Sequence, residues 1–457
     1  MDDSLRAASA NDIIEPLTSV VTPTSSPASA GATGVAVPEF MDSAPMKGMG
    51  RGGIALLVLA FAGVYTAFVT PQAFSLAVRV SQLDPTGQNA ALAIAIGVPS
   101  VFSLLTSPIA NVLSDRTRSR FGRRRPWLAL GAVLALVGSA AAAFAPTVPI
   151  LIAVWTIGFV GYALCAGMIL AHMGDRLAPG QRGRVSGITG AVTQVAPIIG
   201  ITLAGTFSAS PIAMFLVPAT IAFAATGIFV LVMRDDMLQV KPDRLDLRTF
   251  ARGFYFDPRQ LPDLGWVVTS RALLFTAVGF LSVYTVYFLI ARFGLDAAGS
   301  AALISLSGLI GVGAAIFGAL VCGWASDKLK VRKPFLVGTA LVLAGSLFLT
   351  ASATSTTMFI VSGVLTTFAV GAYGAVDQAT ALDVIPHAEG QNARYLGLVG
   401  LSNGIPQALA PFAAGAVVAM AVGDYASVYI VGGIAAVLGA VAILPLNLKR
   451  AAAMNGR

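Results

Sequence analysis

Residues 114–127 read SDRTRSRFGRRRPW, and residues 326–336 read SDKLKVRKPFL. Only 11% of the chain is charged, yet six arginines crowd into positions 116–125 beside a single acid, Asp115. Both stretches follow a long apolar run, and both open on Ser-Asp. Asp115 and Asp327 are 212 residues apart, and Pro126 and Pro334 are 208 apart. A second pair of polar stretches keeps the same spacing. DRLAPGQRGRVSGITG (175–190) is echoed by DVIPHAEGQNARYLGLVG (383–400), with Gln181 and Gln391, Arg184 and Arg394, Gly187 and Gly397, and Gly190 and Gly400 each 210 apart. Two charged motifs at one offset make the second half of the chain a repeat of the first.

The medium follows from composition. The chain has 457 residues and is 56% hydrophobic, whereas soluble domains carry roughly 25% charged residues. Twelve apolar runs, about 53–80, 88–113, 127–145, 148–172, 185–208, 212–233, 265–291, 297–325, 334–352, 356–382, 394–420 and 424–447, cover nearly everything after residue 51. Each approaches the roughly 20 residues that cross a bilayer. A lone segment in lipid must satisfy its own backbone hydrogen bonds, so all twelve are expected as helices. The expected fold is therefore an all-α membrane protein of two six-helix bundles, over 52–233 and 265–450, joined by a connection at 234–264.

Orientation comes from Lys and Arg. Connections after even-numbered runs hold Arg116–Arg125, Arg182, Arg184, Arg244, Arg248, Lys328, Lys330 and Lys333, while the opposite connections hold Arg79 and Arg292. Positive loops stay inside, so both termini are expected in the cytoplasm, with the arginines beside anionic lipid. The first 51 residues, rich in Ser, Thr, Pro and Ala, lack a signal-peptide pattern and read as a disordered tail, as do 451–457. Cys165 and Cys322 sit in apolar runs without CxxC or zinc spacing, so no metal, cofactor or disulfide is expected. No catalytic motif is present, and the arginine run lacks the aromatic interleaving of a nucleic-acid site. A membrane-embedded enzyme and a nucleic-acid partner are both set aside.

A charge-rich loop at matching places in two six-helix halves resembles the major facilitator superfamily, whose signature after helix 2 is G-x-x-x-D-R-x-G-R-R. Here Asn111 stands at the first glycine, and an insertion separates Asp115-Arg116 from Gly122-Arg123-Arg124. That longer form resembles the branch of sucrose–proton and glycoside–cation symporters. The resemblance implies a secondary transporter for a small solute, with a proton or another cation as coupling ion, acting as a monomer. It also implies a cytoplasmic gate. Asp115 (with Arg116, Arg123 and Arg124) would meet helix 11, Asp327 would meet helix 5, and Asp175–Arg184 and Asp383–Arg394 would tie helix ends 4–5 and 10–11. Helices 5 and 8 would cross through glycines 187, 190, 200, 205, 308, 311, 318 and 323.

Polar side chains deep in lipid-spanning runs are expensive and are functional candidates. Asp377, in GAYGAVDQATALDVIP (371–386), is the only acid deep in any run. A carboxyl that burial can hold neutral is what proton coupling requires. Candidate substrate contacts are Tyr65, Gln72, Gln194, Tyr284, Tyr287, Tyr373, Gln378, Asn403 and Gln407, whose amides and phenols suit a hydroxyl-rich ligand. Pro71, Pro197, Pro406 and Pro411 are expected to interrupt helices 1, 5 and 11. Arg271, early in helix 7, is expected to snorkel to the membrane surface. Helices 1 to 6 carry no acid at depth, so sugar or glycoside symport stands beside proton-coupled efflux of amphipathic compounds, uncoupled facilitation, and a transport-inactive sensor or scaffold.

Overall fold

The computed structural model describes residues 48–233, 235, 261–384 and 392–447, with backbone alone at 382 and 392–398. The expected tails and most of the 234–264 connection lie outside the described residues. Twelve helices follow one another: α1 (Arg51–Leu83), α2 (Gln88–Arg116), α3 (Arg125–Phe144), α4 (Val148–Arg176), α5 (Pro179–Thr206), α6 (Pro211–Val232), α7 (Pro262–Val283, resuming at Thr285–Phe293), α8 (Ala297–Leu329), α9 (Lys333–Ala351), α10 (Thr356–Val384), α11 (Asn392–Met420) and α12 (Ala426–Ile443). Eleven are long and apolar enough to cross a membrane among the described residues; α11, at 29 residues, is long enough too.

Prolines start many of these helices. They occupy the first positions of α3, α4, α5, α6, α7 and α9, where the missing N–H has no intrahelical partner to lose. Gly294 ends α7 in the left-handed region at φ 66°. Asp296 caps α8 by accepting from the Gly299 amide at 2.7 Å.

Three features depart from expectation. α5 begins at Pro179, six residues before the apolar run, because its first turn, PGQRGR, is polar. α5 and α11 run unbroken through Pro197, Pro406 and Pro411, which neighbouring helices and local adjustment allow within a membrane bundle. The interruption expected at Pro71 is present as a π-helical turn over Pro71–Ser75 inside α1; the third departure is a break in α7 at Tyr284.

Within each half the helices pack through small residues. α3 and α4 approach closely: a Cβ on Gly138 would lie 2.3 Å from the Gly158 backbone. Without a hydrophobic force between helices in lipid, such close packing supplies the attraction. Gly138→Leu is therefore expected to destabilise the protein by about 1–3 kcal/mol, read as a lower unfolding temperature in detergent; an unchanged temperature would show that the seam yields freely.

The halves meet along two seams, α2 against α11 and α5 against α8. The 210-residue repeat exchanges these pairs. Of the eight glycines expected at the α5–α8 crossing, Gly205 meets Ala301 and Gly308 meets Ile198. Gly200 instead packs on α1, Gly311 and Gly318 on α10, and a Cβ on Gly187 or Gly190 meets nothing within 4 Å.

Candidate solute cavity and its gates

A cavity of about 620 Å³ lies between the halves, walled by α1, α2, α4, α7 and α11. Call the face bearing Arg116–Arg125 the basic face, and its opposite the far face. The cavity occupies the basic-face portion of the α2–α11 seam, from Ser100 to Pro108 on α2 and from Gly400 to Ala408 on α11. Its polar wall comprises Tyr65 and Gln72 on α1, Ser100, Ser103 and Ser107 on α2, Ser282 on α7, and Asn403 and Gln407 on α11. Phe68 and Phe159, with ring centroids 4.7 Å apart, supply an apolar wall. None of the described lining residues is charged.

Four of the nine expected substrate contacts thus line the cavity: Tyr65, Gln72, Asn403 and Gln407. The serines of α2 escaped the sequence reading. Their signal was present in VPSVFSLLTSPI (98–109), where Ser100, Ser103 and Ser107 recur at i, i+3 and i+7 and so share one helix face. Ser103 and Ser107 lie 3.4 Å apart, and Gln407 donates to Asn403. Spare donors and acceptors therefore face the void together. Gln72 sits inside the π-helical turn, a distortion frequent at functional sites.

The other five contacts are elsewhere. Gln194 and Gln378 are exposed, and Tyr373 is buried inside the second bundle. Tyr284 and Tyr287 seal the far face. The Tyr284 hydroxyl donates to the Asn89 carbonyl at 2.6 Å, Tyr287 to the Ala77 carbonyl at 2.9 Å, and Tyr425 to Asn89 Oδ1 at 2.8 Å. Tyr284 stacks on Tyr425, with centroids 5.8 Å apart. Below them Ala93 abuts Gly415, and Phe412 covers Gly97. Thr202 bonds Ser305 at 3.0 Å across the α5–α8 seam. Toward the basic face, Gly187 and Gly190 of α5 and Gly400 of α11 are exposed, with no described atom near the position of a Cβ. Among the described residues, the halves are shut on the far face and parted on the basic face.

The charged motifs form two matching clasps, each within one bundle. Arg124, 5% exposed, pairs with Asp115 at the end of α2 and with Asp175 at the end of α4 (3.2 Å); Arg123 reaches Asp175 at 2.8 Å and Asp115 at 3.9 Å. In the second half Arg332 pairs with Asp327 (2.9 Å) and Asp383 (2.5 Å). Arg124 and Arg332 are 208 apart, as are Asp175 and Asp383. This corrects the expected Asp175–Arg184 pairing: Asp175 is satisfied by Arg123 and Arg124, while Arg184 is exposed. Asp383 is paired with Arg332; the expected Asp383–Arg394 contact lies outside the described residues. Arg116, half-buried, ends α2. Next to the first clasp, Asp235 accepts from the Arg124 and Arg125 amides at 2.6 and 2.8 Å and so caps α3. Replacing Arg124 with Gln removes charge-assisted bonds from two helix ends, and a loss of about 2 kcal/mol is expected on thermal unfolding; full retention of stability would make the clasp incidental.

Arg271 does not snorkel. It is 5% exposed and forms an ion pair with Asp377, itself 3% exposed, bridging α7 and α10 inside the second bundle. Tyr373 and Ser270 lie beside the pair, around a small cavity that Asp377 also lines. Asp377 does not line the cavity. An arginine in lipid is driven inward when a buried carboxylate awaits it, and the two could not be matched from separate runs of sequence.

A family profile of the Major Facilitator Superfamily matches residues 52–320 and 312–454, and the chain belongs to that family. No curated protein matches it by sequence. Solved structures share the fold. A nucleoside transporter, NupG, aligns with a TM-score of 0.68 at 14% identity, over 86% of this chain and 99% of that one. A bacterial homolog of the human lysosomal transporter Spinster, in an inward-facing unoccupied conformation, gives 0.63 at 16% identity, over 89% and 97%. A D-xylose–proton symporter gives 0.60 at 17% identity, over 86% and 96%.

Proposed function

We propose that the chain is a secondary active transporter of a small uncharged solute rich in hydroxyl groups, of the sugar or glycoside class, moved by alternating access. The observation that carries this reading is the cavity wall. Four serines, three amides and a phenol surround a void with no described charge. A charged solute would enter without a counter-ion and lose its hydration uncompensated. A neutral polyol would exchange water for paired donors and acceptors, and lay its apolar face on Phe68 and Phe159.

The excess of Lys and Arg supports placing the basic face, with both termini, in the cytoplasm of a cell membrane. The conformation described is then inward-facing. In the opposite conformation the clasps of Asp115 and Asp327 would approach α11 and α5 and act as the cytoplasmic gate. Efflux of an amphipathic compound is the second reading, favoured by the aromatic wall. Thermal stabilisation of the purified protein separates the two. Neutral sugars and glycosides are expected to raise the unfolding temperature, and Gln407→Ala and Ser103→Ala to abolish the rise. Stabilisation by amphipathic drugs alone, unaffected by these substitutions, would favour efflux.

A further inference from the structure

We infer that the basic-face corner of the first bundle binds an anionic amphiphile, a carboxylate or phosphate head carried on an apolar body. The site is a second cavity, of about 510 Å³, between the ends of α1, α4 and α6. It shares no described lining residue with the solute cavity, so the inference does not depend on the substrate reading.

Three helix faces build it. α1 contributes Gly53 and Leu56, α4 contributes His172 and Arg176, and α6 contributes Phe229, Val232 and Met233. Within each set the residues fall three or four apart, so each set lies on one face of its helix. The backbone at Gly48–Gly50 closes a further wall. That wall is pinned to the start of α5: the Met49 amide donates to Gln181 Oε1 at 3.1 Å, and Gln181 Nε2 donates to the Met49 carbonyl at 2.9 Å. The void is thus bounded by fixed structure, and its size falls among small-ligand sites of roughly 300–1,000 Å³.

Two observations point to an occupant. His172 is 3% exposed, yet among the described residues no hydrogen bond reaches its imidazole; it stands edge-on to Phe229, with ring centroids 5.6 Å apart. A buried polar ring without a partner is costly, and a ligand in the cavity removes that cost. The repeat supplies the second observation. The matching corner of the other bundle, between α7, α10 and α12, holds a cavity of about 10 Å³. At the 210-residue offset Trp266 stands opposite Leu56, and Asp263 opposite Gly53. The same architecture therefore fills this corner in one half and leaves it open in the other.

The walls name the ligand class. Arg176 lies one turn beyond His172 on the same face. A guanidinium and an imidazole so placed suit an oxyanion, to which Arg can donate two parallel bonds. Asp175 and Asp235, the acids whose charge reaches His172, are engaged by Arg123, Arg124 and the first amides of α3. Leu56, Phe229, Val232 and Met233 receive the apolar body. Arg176 ends α4 and Arg51 begins α1, so the head sits at the helix ends, the level at which an amphiphile in the leaflet carries its own head.

Photolabelling of the full chain in dodecyl maltoside tests this. The probe is dodecanoate with a diazirine at its tail, and labelled peptides are mapped by mass spectrometry. Labelling is expected to be saturable, competed by unlabelled dodecanoate, and confined to the peptides holding Leu56 and Phe229–Met233. Arg176→Gln is expected to lower it roughly tenfold, as is replacing the probe by the alcohol of equal length. Leu56→Trp, which gives the first half the second half's residue, is expected to abolish it; Arg176→Gln, at a helix end, carries the test if that variant does not fold. Competition by phosphatidic acid as well as dodecanoate would assign the head to bilayer lipid, and competition by dodecanoate alone to a free single-chain acid; the inference stands in both. Labelling spread over the lipid-facing helices, or unchanged by Arg176→Gln, overturns it. So does labelling that appears only after residues 1–46 are deleted, because the chain would then fill the cavity itself.

Discussion

Replacing Arg271 with Leu is expected to lower stability by about 3–5 kcal/mol, the usual consequence of stranding one member of a buried ion pair. Asp377 is 3% exposed, and the polar side chains that share its small cavity, Ser270, Tyr373 and Thr380, are neutral and cannot take over the arginine's charge. The reverse substitution, Asp377→Leu, is expected to cost about as much, since Arg271 would then be stranded. Both changes together should recover most of the loss, because a neutral, packed pair needs no counter-ion. Unfolding in detergent for the two single variants and the double variant forms the required cycle. Additive losses would show that the two side chains are energetically independent, and a single-variant loss below about 1 kcal/mol would place the pair in contact with water.

Tyr284→Phe combined with Tyr287→Phe is expected to release the far face. Each hydroxyl donates to a backbone carbonyl of the other half, Asn89 and Ala77. Each such bond is worth about 1 kcal/mol net, so losing two shifts the open-to-closed ratio roughly thirtyfold. The aromatic stacking on Tyr425 survives the change, which confines the effect to the hydroxyls. Faster maleimide labelling of Ala93→Cys reports the opening. Because this seal is uncharged, the labelling rate should be insensitive to salt. An unchanged rate in the double variant would mean that packing of Ala93, Gly97, Phe412 and Gly415 closes the far face without the tyrosines.

Local chemistry made most of the fold legible. Continuous apolar runs must become helices in lipid, and the repeated Ser-Asp motifs showed that the halves correspond. Helix ends were less legible where polar first turns, as at Pro179, project beyond the apolar span. The proline effects were misjudged at α5 and α11 because neighbouring helices, invisible in one segment, absorb the lost hydrogen bond. The site was half legible. Tyr65, Gln72, Asn403 and Gln407 are polar residues on helices that face the void. Tyr284 and Tyr287 have the same chemistry, but a register a few residues closer to the far face turns them from lining into seal. The Arg124 and Arg332 clasps depend on which helix ends adjoin, as does the inward turn of Arg271. Only tertiary structure supplies those distances.

Flux of uncharged solutes into liposomes containing the purified protein tests the central claim most directly. A radiolabelled panel of neutral sugars and glycosides, set beside a carboxylated and an aminated analogue of each, would be followed with and without an inward proton gradient. Saturable uptake of at least one neutral member, exclusion of its charged analogues, and loss of that uptake with Gln407→Ala are the predicted results. Uptake of a charged analogue in preference to its neutral parent, or no flux for any member in protein whose folding is verified, would contradict the account.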